Sequence, residues 1–81
     1  MSVSVRLSTT LRNLVPGYEP AEGLILEIKE NLTALELAQK LNLPPADIKI
    51  VMLNGRRVTL ESVISDGDRV GFFPAVGGGA F

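Results

Sequence analysis

The sequence predicts an α+β domain, a mixed sheet of four or five strands packed on one main helix. Three features carry that expectation. Apolar residues alternate with polar ones at Ser2 to Leu7 and again around Leu24 to Ile28, the period of a half-buried strand. One segment, opening at Leu32, combines helical spacing with a helix-start signal. Two turn signals, Asn54-Gly55 and Ser65-Asp66-Gly67-Asp68, punctuate the apolar runs of the C-terminal half. The 81 residues leave room for a single core, because a chain of this size buries only roughly 60% of the surface its unfolded form exposes.

In the first strand Val3, Val5 and Leu7 share one face, opposite Ser2, Ser4 and Arg6. The next stretch carries Leu11, Leu14 and Val15 at near-helical spacing before Pro16-Gly17 cuts it. It is read as a short helical turn or loop that tucks its leucines under the sheet. A polar loop with Pro20 and Gly23 leads to a second strand, whose inward set is Leu24, Leu26 and Ile28, in a loose hairpin with the first.

Thr33 as N-cap and Glu36 three residues on form a capping box, with Leu32 and Leu37 placed as a hydrophobic staple. Ala34, Leu37, Ala38 and Leu41 then recur as one apolar stripe that must pack on the sheet, and Glu36 with Lys40 makes an exposed pair. Asn42 can take a left-handed conformation and Pro44-Pro45 forbids continuation, so the helix ends near Leu41 after barely three turns.

Ile48, Ile50 and Met52 alternate with Lys49, Val51 and Leu53 in a third strand, turned back by Asn54-Gly55 in a type I′ turn into a short fourth strand from Arg56 to Leu60. Arg69-Val70-Gly71-Phe72-Phe73 is the last strand, closed by Pro74. If Ile50, Met52, Val70 and Phe72 face the core, Val51, Leu53 and Phe73 fall on the opposite face as an apolar cluster fit to dock a partner. A self-association patch, or a small cluster covered by the loop around Thr9 to Tyr18, competes with that reading. The folded domain is assigned to residues 1–74 and a flexible glycine-rich tail to residues 75–81.

Composition excludes several functions. Eight Lys+Arg against nine Asp+Glu give a net charge of −1, without the basic excess that phosphate-backbone binding needs, so nucleic acid is not an expected partner. The chain has no Cys and no His, which removes thiol nucleophiles, zinc-finger spacing and the usual general base; no enzymatic activity, resident metal or bound cofactor is expected. No apolar run approaches the roughly 20 residues of a membrane span, so no membrane role is expected, and the start of the chain has no address pattern, so a cytoplasmic location is expected. Arg56-Arg57 and Arg69 read as a solvated rim, or else as charges that steer an acidic partner or contact a phosphorylated substrate. Asp66-Gly67-Asp68 reads as a plain turn, since the other ligands of a calcium loop are missing. Gly77-Gly78-Gly79 lacks the following helix that a phosphate-cradling loop requires.

The ββαββ order with a further last strand is the β-grasp arrangement. Three pieces sharpen it: Leu53-Asn54-Gly55-Arg56, Ser65-Asp66-Gly67-Asp68-Arg69-Val70, and Phe73-Pro74-Ala75-Val76-Gly77-Gly78 running into the glycine-rich terminus. In this order and spacing the chain resembles, over essentially its whole length, the ubiquitin-like sulfur carriers, the group that includes the small subunit of molybdopterin synthase and the thiamine-pathway sulfur carrier.

The resemblance implies that the working group is a terminal glycine carboxylate. An E1-like adenylyltransferase would activate it with ATP, a sulfur donor would displace AMP, and the resulting thiocarboxylate would pass sulfur to an acceptor biosynthetic enzyme. The chain departs from the family pattern in carrying Ala80 and Phe81 after Gly79. Their removal by a zinc-dependent protease of the JAMM type is therefore implied, leaving Gly79 as the acyl terminus and Gly77 and Gly78 as its flexible approach. Carriers with such an extension tend to serve amino-acid or siderophore pathways, which tilts the expected product toward cysteine or homocysteine, with molybdopterin and thiamine open. A ubiquitin-like protein modifier or interaction module is the alternative. Glycines suit a tail that must thread a narrow channel, because they lack Cβ. Five extended residues from Ala75 to Gly79 reach on the order of 17 Å.

Overall fold

In a computed structural model of the chain, which describes residues 1–74, the N-terminal alternation becomes strand β1 (Ser2–Leu7). Val3, Val5 and Leu7 are buried against the core, while Arg6 is exposed. After a 3₁₀ turn (Thr9–Leu14) come β2 (Leu24–Glu27), a two-residue strand β3 (Leu32–Thr33), helix α1 (Ala34–Lys40) and a second 3₁₀ turn (Pro45–Asp47). Strands β4 (Ile48–Leu53), β5 (Arg56–Val58), β6 (Val63–Ile64) and β7 (Arg69–Pro74) complete the order. The main sheet runs β2-β1-β7-β4-β5, with β1 and β7 parallel at its centre and the other pairs antiparallel; β3 and β6 form a small second ladder. This is the mixed five-stranded β-grasp sheet on one helix that the sequence predicts.

The capping box forms as expected. Thr33 Oγ1 accepts from the Glu36 N–H at 3.1 Å, and Glu36 Oε1 accepts from the Thr33 N–H at 2.8 Å. That return contact turns the Glu36 carboxylate toward the cap, and the expected Glu36–Lys40 pair does not form. Among the described residues the one ion pair joins the N-terminal ammonium of Met1 to Glu27 at 3.8 Å. The helix begins directly after its Thr33 cap and spans seven residues, two turns rather than the three expected, while Leu32 and Thr33 pair with Ile64 and Val63 just before it. It stops where expected, with Asn42 at φ +60°. Ala34, Leu37 and Ala38 are fully buried, Leu41 packs at the edge of the core, and Leu32 is buried beside them.

Two leucines of the first connection part company: Leu11 enters the core and Leu14 stays 43% exposed. The larger correction concerns β4. Ile48 pairs with Pro74 and Ile50 with Phe73, so two residues of β4 are taken up against one of β7. This bulge resets the alternation. Ile48 and Val51 both turn inward, Val51 to 3% exposure, and Leu53 packs against the core. Ile50 and Met52 instead share the open face with Phe73. Neither Val51 nor Leu53 presents the exposed docking side chain expected of it.

Candidate functional site

Register determines what the face away from the helix carries. Arg6 lies beside Gly71, Gly71 opposite Met52, and Met52 opposite Arg57, a row across four strands. Flanking it, Ile25, Ser4 and Arg69 form a second row, and Phe73 with Ile50 a third. Phe73 is 38% exposed and Ile25 64%. Beside Gly71, whose missing side chain leaves room, lies a shallow hollow of about 460 Å³ lined by Arg6, Met52, Arg69 and Phe73 among others. A Cβ at Gly71 would come within 3.2 Å of the Phe73 ring, so glycine here lets that ring lie low over the strand.

The face is thus a strip of Phe73, Ile50 and Met52 edged by Arg6, Arg57 and Arg69. None of these guanidinium groups is paired with a carboxylate among the described residues. The chain as a whole is slightly acidic, so the cationic rim is a local arrangement, and it is complementary to an apolar surface fringed with acidic residues. Of the expected docking residues, only Phe73 stands on this face. The sequence alternation sends Ile50 and Met52 to the core and marks neither Gly71 nor Arg6 as part of this face; the signal that points to Arg6 is its place in the outward set of β1.

Both turn motifs belong to one network at the other end of β7. Asn54 and Gly55 have φ of +51° and +86°, as a type I′ turn requires. Asn54 donates through Nδ2 to Asp68 Oδ1 at 3.0 Å and accepts through Oδ1 from the Arg69 N–H at 2.8 Å. Asp68 Oδ2 accepts from the Ser65 N–H, and Asp66 Oδ1 from the Ser2 N–H, each at 2.8 Å. These carboxylates are occupied by backbone and amide donors, which supports the turn reading over a cation loop. Among the described residues no group of three acidic side chains is placed to hold a metal.

Strand β7, the middle strand of the main sheet, ends at Pro74, the residue after Phe73. The expected tail residues Gly77, Gly78 and Gly79, and the residues Ala80 and Phe81 expected to be removed, lie outside the described residues.

Residues 5–79 match the ThiS family. Among solved structures, the HVO 2177 protein of Haloferax volcanii has a TM-score of 0.74 at 24% identity, covering 98% of this chain and 87% of its own. SAMP1 from the same organism has a TM-score of 0.68 at 17% identity, over 98% and 100%. The complex of subunits 1 and 2 of the molybdopterin-converting factor from Helicobacter pylori gives a match with a TM-score of 0.59 at 22% identity, over 98% and 100%. These likenesses show the fold. No curated protein matches the sequence.

Proposed function

The chain belongs to the ThiS family, and from that premise we propose that it is a sulfur carrier whose working group is the Gly79 carboxylate. The observation that carries the reading is the extent of the match, which runs from residue 5 to residue 79 and so takes in the three glycines together with the folded body. Once Ala80 and Phe81 are cleaved by a zinc-dependent protease, the Gly79 carboxylate attacks the α-phosphorus of ATP on an E1-like enzyme and pyrophosphate leaves. Hydrosulfide from a sulfur donor then adds to the acyl carbon and AMP departs, leaving a thiocarboxylate for the acceptor enzyme. The chain itself needs no bound cofactor for this; ATP is consumed on the activating enzyme.

The folded body contributes recognition. The Phe73, Ile50 and Met52 strip lies at the root of the tail, so a partner that holds this face also fixes where the tail begins. That a molybdopterin-converting factor complex of two subunits contains a chain of this fold supports an acceptor enzyme as one such partner. Mass spectrometry of the full chain co-expressed with the activating enzyme and protease tests the proposal. The expected product ends at Gly79 with one oxygen replaced by sulfur. A chain that is trimmed and adenylated but found only in isopeptide linkage to lysines of other proteins would establish the modifier reading instead. Sulfur delivery to an activated amino acid, a pterin precursor or a thiazole precursor identifies the pathway.

A further inference from the structure

A smaller hollow of about 190 Å³ lies on the other side of Phe73, lined by Arg6, Ser8, Arg12 and Tyr18. Its two guanidinium groups are each fastened to the backbone by a single N–H. Arg6 Nη1 donates to the Pro20 carbonyl and Arg12 Nε to the Leu7 carbonyl, both at 3.1 Å. Leu7 is held in turn by the Tyr18 hydroxyl, which accepts from its N–H at 2.8 Å, and the Ser8 N–H donates to the Phe72 carbonyl at 3.2 Å, tying the hollow to β7. An anchored guanidinium keeps its remaining donors in a planar fork that suits a two-oxygen anion. Neither group has a carboxylate within ion-pair distance among the described residues.

From this arrangement we infer that the Arg6–Arg12 notch is the receptor for a carboxylate side chain on the protein that activates the tail. The inference rests on the sulfur-carrier reading and names a contact that reading does not supply. The anion is a protein carboxylate rather than a nucleotide phosphate because of distance. Adenylation takes place at Gly79, five residues beyond Pro74, and five residues drawn through a channel span about 17 Å. The notch touches Phe73 at the root of the tail, so the phosphate formed at its tip lies out of reach.

The test measures binding of the full chain to its activating enzyme, with steady-state adenylation alongside, for Arg6→Gln, Arg12→Gln and the double variant. The expected result is a roughly tenfold weaker Kd and higher KM for Arg12→Gln, more for the double variant, and an unchanged kcat. Arg12→Lys should not restore affinity, because an ammonium lacks the fork. Thermal unfolding of each variant separates lost binding from lost fold; Arg6→Gln, whose anchor is a surface-loop carbonyl, carries the test if Arg12→Gln is unfolded. Wild-type affinity in the double variant overturns the notch, and full rescue by lysine replaces it with unspecific steering. Saturable shifts of the arginine Nε–H signals on titration with millimolar AMP would reassign the notch to a phosphate. If the enzyme never adenylates the wild-type chain, the sulfur-carrier reading itself falls, a result visible without any variant.

Discussion

Asn54 holds together two turns that sequence reading treats as separate. Its positive φ is one that asparagine and glycine tolerate better than other residues, and its amide bridges Asp68 and the Arg69 N–H. Its own N–H donates to the Arg69 carbonyl at 2.8 Å, so the β4–β5 hairpin is closed onto the start of β7. Asn54→Ala removes both side-chain bonds and places an unsuited residue at that φ, and is expected to lower unfolding free energy by about 1–3 kcal/mol in urea titration. Asn54→Gly keeps the backbone geometry and loses only the bonds, so it should fall between the two. Equal stability of the alanine variant and wild type would mean that the bridge contributes nothing.

At the scale of elements, the helix is short enough that its end and its core contact each matter. Removing the cap by Thr33→Ala should cost about 1 kcal/mol, and Leu37→Ala, which opens a cavity under a side chain with no exposure, about 2–5 kcal/mol. Denaturant midpoints at unchanged slope would check both, and the second is a large share of the stability of any small domain. Legibility follows the same physics. Where one face of a strand is polar, as in β1, alternation names the core without ambiguity. Strand β4 is apolar on both faces except at Lys49, so the pattern admits two registers, and a bulge set by pairing with β7 decides between them. The pairing of β3 with β6 involves four residues that meet only through tertiary contact, and no local signal announces it. Hence the fold is readable from sequence while the open face of the sheet is read one register off: Phe73 lies on it as expected, and Ile50 and Met52, which the alternation sends to the core, lie there with it.

At the scale of the whole molecule, the parallel β1–β7 pair places the root of the tail on a stiff central strand, next to the arginine-edged strip and the notch. On the proposed sulfur-carrier reading, recognition and chemistry are separated along the chain: the body would decide how well the activating enzyme is found, the glycines whether the carbonyl can be reached. Two substitutions should divide the kinetics accordingly. Met52→Glu adds a charge to the strip without entering the core, and is expected to raise KM for the carrier about tenfold, as loss of a central interface side chain does, with kcat retained. Gly79→Val changes no residue of the described core and, on the proposed reading, adds a branched side chain at the reacting end, so it should leave the unfolding transition intact and abolish AMP formation at any carrier concentration. It should still compete with wild type for the enzyme, because the strip and the arginines are untouched. Adenylation of the Gly79→Val chain at an undiminished rate would mean that the carboxylate is not threaded through a narrow passage, and failure of that chain to compete would mean that the tail, and not the sheet face, supplies the binding.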